Sequence, residues 1–243
     1  PEPLNRLKNP PKQLNFIGDT SLLSLPKIAV VGSRKASVYT KECVTALCAA
    51  LKSANICVVS GGAIGVDIAA HKAAMPRTIG IFASGLDTIY PSQNKAAINE
   101  IYTKALALSE YDEGEPPLAY RFLERNRIVV GLCEALVVAQ ADLKSGSMQS
   151  ARLANELKIP VYVLPQRMGE SDGTNFLLAN KKAELIDDYH KFASLFGEIR
   201  EQEKTSDEIL EFCKNSVSLD EVLAKFGDII YEYELEGLVE ISN

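Results

Sequence analysis

Histidine is almost missing from this chain: its 243 residues include only His71 and His190, tryptophan is absent, and the five cysteines show no CxxC spacing. Two histidines leave almost no material for a histidine-based metal centre or a Ser-His-Asp triad. Cys43, Cys48, Cys57, Cys133 and Cys213 are scattered through apolar segments, as buried thiols are, so neither a disulfide nor a metal site is expected. No apolar run approaches the roughly 20 residues that span a bilayer, and the N-terminus has no basic stretch followed by a hydrophobic one. The expected location is therefore the cytoplasm. A Walker A sequence is also absent, which argues against ATP hydrolysis.

What is present is 47% hydrophobic content, enough at this length to bury one main core plus something small. The net charge of −6 disfavours a nucleic-acid partner until its distribution is read. Residues 1–197 carry 22 basic against 19 acidic side chains, whereas residues 198–243 carry 4 against 13. An acidic tail thus hides a mildly basic larger part.

Short apolar runs alternate with helix-period segments from residue 27 onward. The runs are KIAVV (27–31), ICVV (56–59), TIGIF (78–82), ALAL (105–108), ALVVA (135–139) and VYVL (161–164). Continuous runs of this kind suit strands buried on both faces of a parallel sheet. Residues 36–53, 64–75, 93–104, 122–133 and 147–158 supply the intervening helices, and 188–196 a last one. The pattern predicts a doubly wound α/β fold, Rossmann-like, with a mostly parallel sheet. Residues 1–26 are expected to pack on the core as an extension, 27–197 to form the main domain, and 198–204 to be a linker. Residues 205–243 read as a reduced winged-helix-like module: TSDE and SLDE look like two capping sequences, and DIIYEYELEGLVEIS as a third helix, a turn at Gly237 and a strand. So acidic a module suits a protein contact or a structural cap better than DNA.

In open α/β sheets ligands bind beyond the carboxyl ends of the strands. The segments there are GSRKAS (32–37), SGGAIGVD (60–67), ASGLD (83–87), SEYDEG (109–114), QADLKSGS (140–147) and PQRMGESDGTN (165–175). Turns need glycine and helix caps need serine whatever the function. Turning alone, however, does not require Arg34, Lys144 and Arg167, and together with free helix N-termini these residues make an edge suited to phosphate. Arg125 and Arg127 belong to the same edge, although a spacing of two on a helix keeps both from facing one way, so one serves packing or a carboxylate. Chemistry would have to come from Asp67, Glu124, Asp142, Glu170 or Asp172. Asp67 and His71, four apart, can pair, and Asp67 suits the dipole of its own helix better than proton abstraction.

These motifs in this order resemble the bacterial DNA-processing protein A family, DprA or Smf. The likeness runs from NPPKQLNFIGDTSLLSLPKIAVVGSRKAS through VVSGGAIGVDIAAHKAA, ASGLDTIYPSQNKAAINEI and LSEYDEGEPPLAYRFLERNRIVVGL. It continues through KSGSMQSARLANELKIPVYVLP to SDGTNFLLA. The resemblance implies a Rossmann-like homodimer, and the residues themselves read as a binding protein without enzymatic turnover or cofactor. It would bind incoming single-stranded DNA during natural transformation, protect it and load the RecA recombinase onto it. Carried onto this chain, the implied DNA contacts are Gly32, Ser33 and Arg34; Gly61 and Gly62; Arg125, Asn126 and Arg127; and Lys144, Ser145, Gly146 and Ser147, with Arg167 on the loop after the sixth strand. Phe122 or Tyr120 can stack a base, or pack in the core. The chain departs from the family pattern at Gln140, where an acidic residue is common, and at Gln166, where a glycine follows the proline.

Two other readings share the fold. A nucleotide phosphoribohydrolase-like enzyme would need a carboxylate after its glycine loop, and KSGSMQSA (144–151) has none. A small-nucleotide-binding protein would share the anion-binding edge without needing charge on several loops.

Overall fold

The computed structural model describes residues 2–198, 208–213, 217–227, 229–235 and 239. Among them, Lys27–Val31 (β2), Cys57–Ser60 (β3), Thr78–Phe82 (β4), Leu106–Ser109 (β5), Ala135–Val138 (β6) and Val161–Val163 (β7) form the parallel heart of an eight-stranded sheet. Its edges are Asn15–Gly18 (β1), antiparallel to β5, and the two-residue Glu184–Leu185 (β8), parallel to β7. The strand order is β1-β5-β4-β3-β2-β6-β7-β8. Six expected runs are therefore six strands, two with the same ends and four with ends moved by one residue, and both edge strands are additional.

Every side chain of β2 is buried, yet successive ones face different layers. Ala29 and Val31 join the cluster built with Ile98, Ile101, Ile128, Leu132 and Ala151, while Ile28 and Val30 join the one built with Val44, Leu47, Leu51 and Ala70. That alternation is the period-two geometry of a strand covered on both sides. Helices Lys95–Lys104 (α3), Ala119–Gly131 (α4) and Gly146–Glu156 (α5) supply the first layer; Val38–Ser53 (α1), Val66–Ala74 (α2) and Tyr189–Ser194 (α7) supply the second. Asp172–Ala179 (α6) lies within what the sequence reads as loop and helixless chain. The α4 helix starts at Ala119, three residues ahead of the expected Phe122.

The N-terminal residues belong to the same body. Leu4, Leu7 and Leu22 are buried in the first cluster, and Arg6 donates to the carbonyls of Gly131 (2.9 Å) and Cys133 (2.8 Å). Contacts divide the chain into two compact units, residues 1–199 and 200–243. Among its described residues the second holds three short helices, Glu208–Cys213 (α8), Leu219–Phe226 (α9) and Ile229–Leu235 (α10), around Ile209, Val222 and Ile230. Ser218 caps α9 with Glu221 in a reciprocal box: its hydroxyl accepts from the Glu221 N–H, and the Glu221 carboxylate accepts from the Ser218 N–H. Thr205 and Ser206 of the expected TSDE cap, the Gly237 turn and all of the expected terminal strand but Val239 lie outside the described residues. No helix among the described residues is long and apolar enough to cross a membrane.

Candidate functional site

The chain order reverses at β2, whose neighbours are β3 on one side and β6 on the other. Loops leaving such a pair diverge and open a crevice at their carboxyl ends. A cleft of about 730 Å³ lies there, lined by the loop after β2, the start of α2, Tyr90, α4, and the segment from Ala141 into α5.

The first loop is shaped by close approach. A β-carbon on Gly32 would run into Val66, and one on Gly65, where φ is 86°, would meet the backbone of Ser33 and Arg34. The Ser33 N–H donates to the Gln140 carbonyl (2.8 Å), and the Ser33 carbonyl accepts from the Val66 N–H (3.2 Å). With its backbone so fixed, the loop presents Arg34 and Lys35 exposed on the cleft wall. The Arg34 guanidinium lies 5.5 Å from the centre of the Phe122 ring, which in turn meets Tyr90 at 5.6 Å. Phe122 therefore faces the cleft, whereas Tyr120 is exposed and lies against Arg121 instead.

Beneath this wall sits a buried cation. Arg125 is only 4% exposed, donates from Nη1 to the Ile81 carbonyl (2.5 Å), and shares the cleft floor with Asp67. Gly61 gives it room, since a β-carbon there would land on the guanidinium. Burial pushes the Asp67 carboxyl upward and the Arg125 charge pulls it back; burial likewise lowers Arg125 while Asp67 supports it. Each ion thus makes the other tolerable in a desolvated place. Asp67 Oδ2 also accepts from the Ala63 N–H at 3.4 Å.

The opposite wall is the start of α5. Ser145 caps it, accepting from the Met148 N–H (3.3 Å) and donating to the Asp142 carbonyl (2.7 Å), and Gly146 and Ser147 of its first turn, where helix N–H groups lack partners within the helix, line the opening. Asn126 lies between the walls, half-buried.

The structure thus brings Gly32, Ser33, Arg34, Arg125, Asn126, Ser145, Gly146 and Ser147 together around one opening. Gly61 and Gly62 stand behind it as spacers for Arg125 and Phe82. Lys144 is exposed on the loop before α5, outside the cleft walls. Arg127 points elsewhere and binds Glu110 through one Nη at 2.6 and 2.7 Å, so it is the arginine of the pair that serves a carboxylate. Arg167 is also outside the cleft, 85% exposed and 3.8 Å from Glu170.

Of the candidates for chemistry only Asp142 joins Asp67 on the cleft lining. His71 bonds to Thr78 Oγ1 (2.6 Å), not to Asp67, and because Thr78 gives its own proton to the Val58 carbonyl, His71 Nδ1 is the donor. Burial, reinforced by the Arg125 charge, lowers His71 to about 3, so it is neutral. Glu124 accepts from the Tyr111 hydroxyl (3.1 Å), and Asp172 opens α6. Among the described residues no group of three His, Cys, Asp or Glu side chains could hold a metal ion.

Tyr90 and Lys35 are site residues that pattern reading did not single out. Lys35 follows Arg34 directly, and that adjacency was its signal; Tyr90 carries none in sequence, since it reaches the cleft from the far end of the loop after β4.

The model of the family described as DNA recombination-mediator protein A matches residues 1–197. The DNA processing protein DprA of Streptococcus pneumoniae is 39% identical over 183 residues, which are 73% of this chain and 64% of that protein. Protein Smf of Synechocystis is 33% identical over 204 residues, 80% of this chain and 51% of that protein. This chain therefore spans about half to two thirds of the length of these curated relatives. A solved structure of Helicobacter pylori DNA processing protein A, described for its single-stranded DNA binding mode, superposes with a TM-score of 0.79 at 45% identity. It covers 80% of this chain and 91% of that one. The Streptococcus pneumoniae DprA structure superposes with a TM-score of 0.76 at 37% identity, covering 81% and 70%.

Proposed function

Since the chain belongs to the DNA recombination-mediator protein A (DprA/Smf) family, we propose that its switch-point cleft holds single-stranded DNA. The observation that carries this reading is Arg34 laid against Phe122 on the cleft wall, opposite the free N–H groups at the start of α5. A polynucleotide offers charged phosphates and flat bases in alternation. Arg34 and Lys35 supply charge, the α5 N-terminus supplies backbone donors and a favourable dipole end, and the Phe122–Tyr90 pair supplies a surface on which a base can stack. The cleft also contains Asp67 and Asp142. Asp67 is matched by buried Arg125, so the exposed cations remain available to phosphate. The single-stranded DNA binding described for the Helicobacter pylori relative supports this choice of ligand.

The same proposal extends to the cellular role that the family resemblance implies. The protein acts in the cytoplasm as a homodimer during natural transformation, protects incoming strands and passes them to RecA, without turnover of its own. Absence of turnover is supported by the engagement of His71 with Thr78 and of Asp67 with Ala63. The acidic residues 205–243 serve a protein contact or a structural cap of winged-helix type, not a second grip on DNA, because their excess negative charge repels phosphate. A cleft of about 730 Å³ also fits a free nucleotide, which keeps a small-nucleotide-binding protein as the second reading.

Arg34→Ala tests the proposal. Loss of a phosphate contact by a charged group should weaken single-strand binding by about 1–3 kcal/mol, read as fluorescence anisotropy of a labelled oligonucleotide. Unchanged affinity in a protein with an intact circular dichroism melt would remove Arg34 from the interface.

A further inference from the structure

Two glutamines, at the positions where the chain departs from the family pattern, build a platform beside the cleft. The segment 165–171 between β7 and α6 is largely exposed, yet it is tied at both ends. Near its start, Gln166 Nε2 donates to Thr40 Oγ1 (3.0 Å) and to the Ala139 carbonyl (2.8 Å). Near its end, Gln140 Nε2 donates to the Glu170 carbonyl (3.1 Å), while Gln140 Oε1 accepts from the Ser37 N–H (3.0 Å) ahead of α1. Ser171 Oγ accepts from the Ala141 N–H (2.9 Å) as well. Between these ties the chain turns outward at Gly169, whose φ is 81°.

A tethered loop that holds its tip in solvent has a definite shape to present. Arg167 is 85% and Met168 98% exposed, and the Gln166–Thr40 bond sets them beside the first turn of α1, where Val38 is 71% and Tyr39 44% exposed. The Tyr39 hydroxyl is raised chiefly by its hydrogen bond to Cys43 and by burial, and the charges of Arg167 and Glu170 reach it as well. One aromatic ring, two bare apolar side chains and a guanidinium whose carboxylate neighbour stands 3.8 Å away are more than a connection between β7 and α6 requires. The patch is continuous with the cleft: Lys35 lines the cleft three residues before Val38, and Gln140 holds both the first loop and this one.

We propose that Tyr39, Arg167 and Met168 form a second subsite for single-stranded polynucleotide, which receives the nucleotides leaving the cleft past Lys35. Tyr39 stacks a base and Arg167 meets the adjoining phosphate, the pairing of ring and cation that tracks a single strand without reading its sequence. Gln140 and Gln166 are positioning residues for it. The inference rests on the cleft reading above and adds length to it.

The test uses labelled oligothymidylates of about 2 and about 20 nucleotides, the first short enough to stay within the cleft and the second reaching beyond it. Arg167→Ala and Tyr39→Ala should each weaken the longer one by about five- to tenfold and leave the shorter within about twofold, with Arg167→Ala lowering the salt slope of the longer by about one. Tyr39→Phe, which keeps the ring, should restore affinity, and exposed Arg167 gives a reading even where Tyr39→Ala unfolds. Equal losses on both lengths, or none on either, would overturn the platform. Wild-type protein that binds neither oligonucleotide would instead overturn the cleft reading itself.

Discussion

Arg125 and His71 show how single residues were legible as types but not as roles. The spacing of Arg125 and Arg127 already required them to face apart, but only tertiary contacts decide which enters the cleft floor and which meets Glu110. Asp67 and His71 lie on one helix at a spacing that allows pairing, and the pairing does not form because Thr78, on the adjacent strand, supplies a better-placed partner. That arrangement has a consequence for stability. His71 is held neutral down to about pH 3 from an ordinary value of 6.5. Between those values the unfolded chain binds a proton that the folded one refuses, so this group makes stability rise with pH by up to about 1.4 kcal/mol per unit across the window. Asp67 works in the opposite sense: its carboxyl is raised by burial, so above the ordinary value of 3.8 the folded state holds more proton and loses stability as pH rises. His71→Gln removes the first contribution only. Urea unfolding from pH 6.5 down to pH 4 should show the stability gap between wild type and variant narrowing as the solution is acidified; parallel profiles would contradict a neutral buried His71.

At the scale of elements, the buried parallel strands were legible because each is a continuous apolar run covered on both faces, as β2 and β4 are along their whole length. The edges were not. In β1, NFIG, three of four residues are exposed, so its place in the sheet depends on pairing with β5 and leaves no hydrophobic signature. The two residues of β8 are both exposed and too few to carry a pattern. The α6 helix has only eight residues and opens with Asp-Gly-Thr-Asn, which reads as loop; Ser171, which is bonded to Ala141 and Thr174, fixes its start. The loops of the site were visible as glycine- and serine-rich turns, whereas Tyr90 and the two glutamine ties were not, because their partners lie far away in sequence. Gln166 reaches Thr40 and Ala139, and Gln140 reaches Ser37 and Glu170. Gln166 also explains how the loop carrying Arg167 keeps a defined shape without a glycine after Pro165.

The whole molecule combines a mildly basic unit with a strongly acidic one, and the average of −6 describes neither. With the proposed DNA contacts all within residues 1–199, removal of 200–243 should leave single-strand affinity within about threefold, any change being toward tighter binding as acidic charge is lost. A large loss would show that the acidic unit is needed for binding, directly or through assembly. On this reading the switch-point cleft is built for a polyphosphate strand and not for one free nucleotide. The measurement that tests it most directly is anisotropy of a labelled single strand over a salt series, with unlabelled duplex and mononucleotide as competitors. The logarithm of affinity should fall linearly with the logarithm of salt, with a slope of several units, and neither competitor should displace the strand at equal nucleotide concentration. Full displacement by the mononucleotide, or binding indifferent to salt, would contradict it.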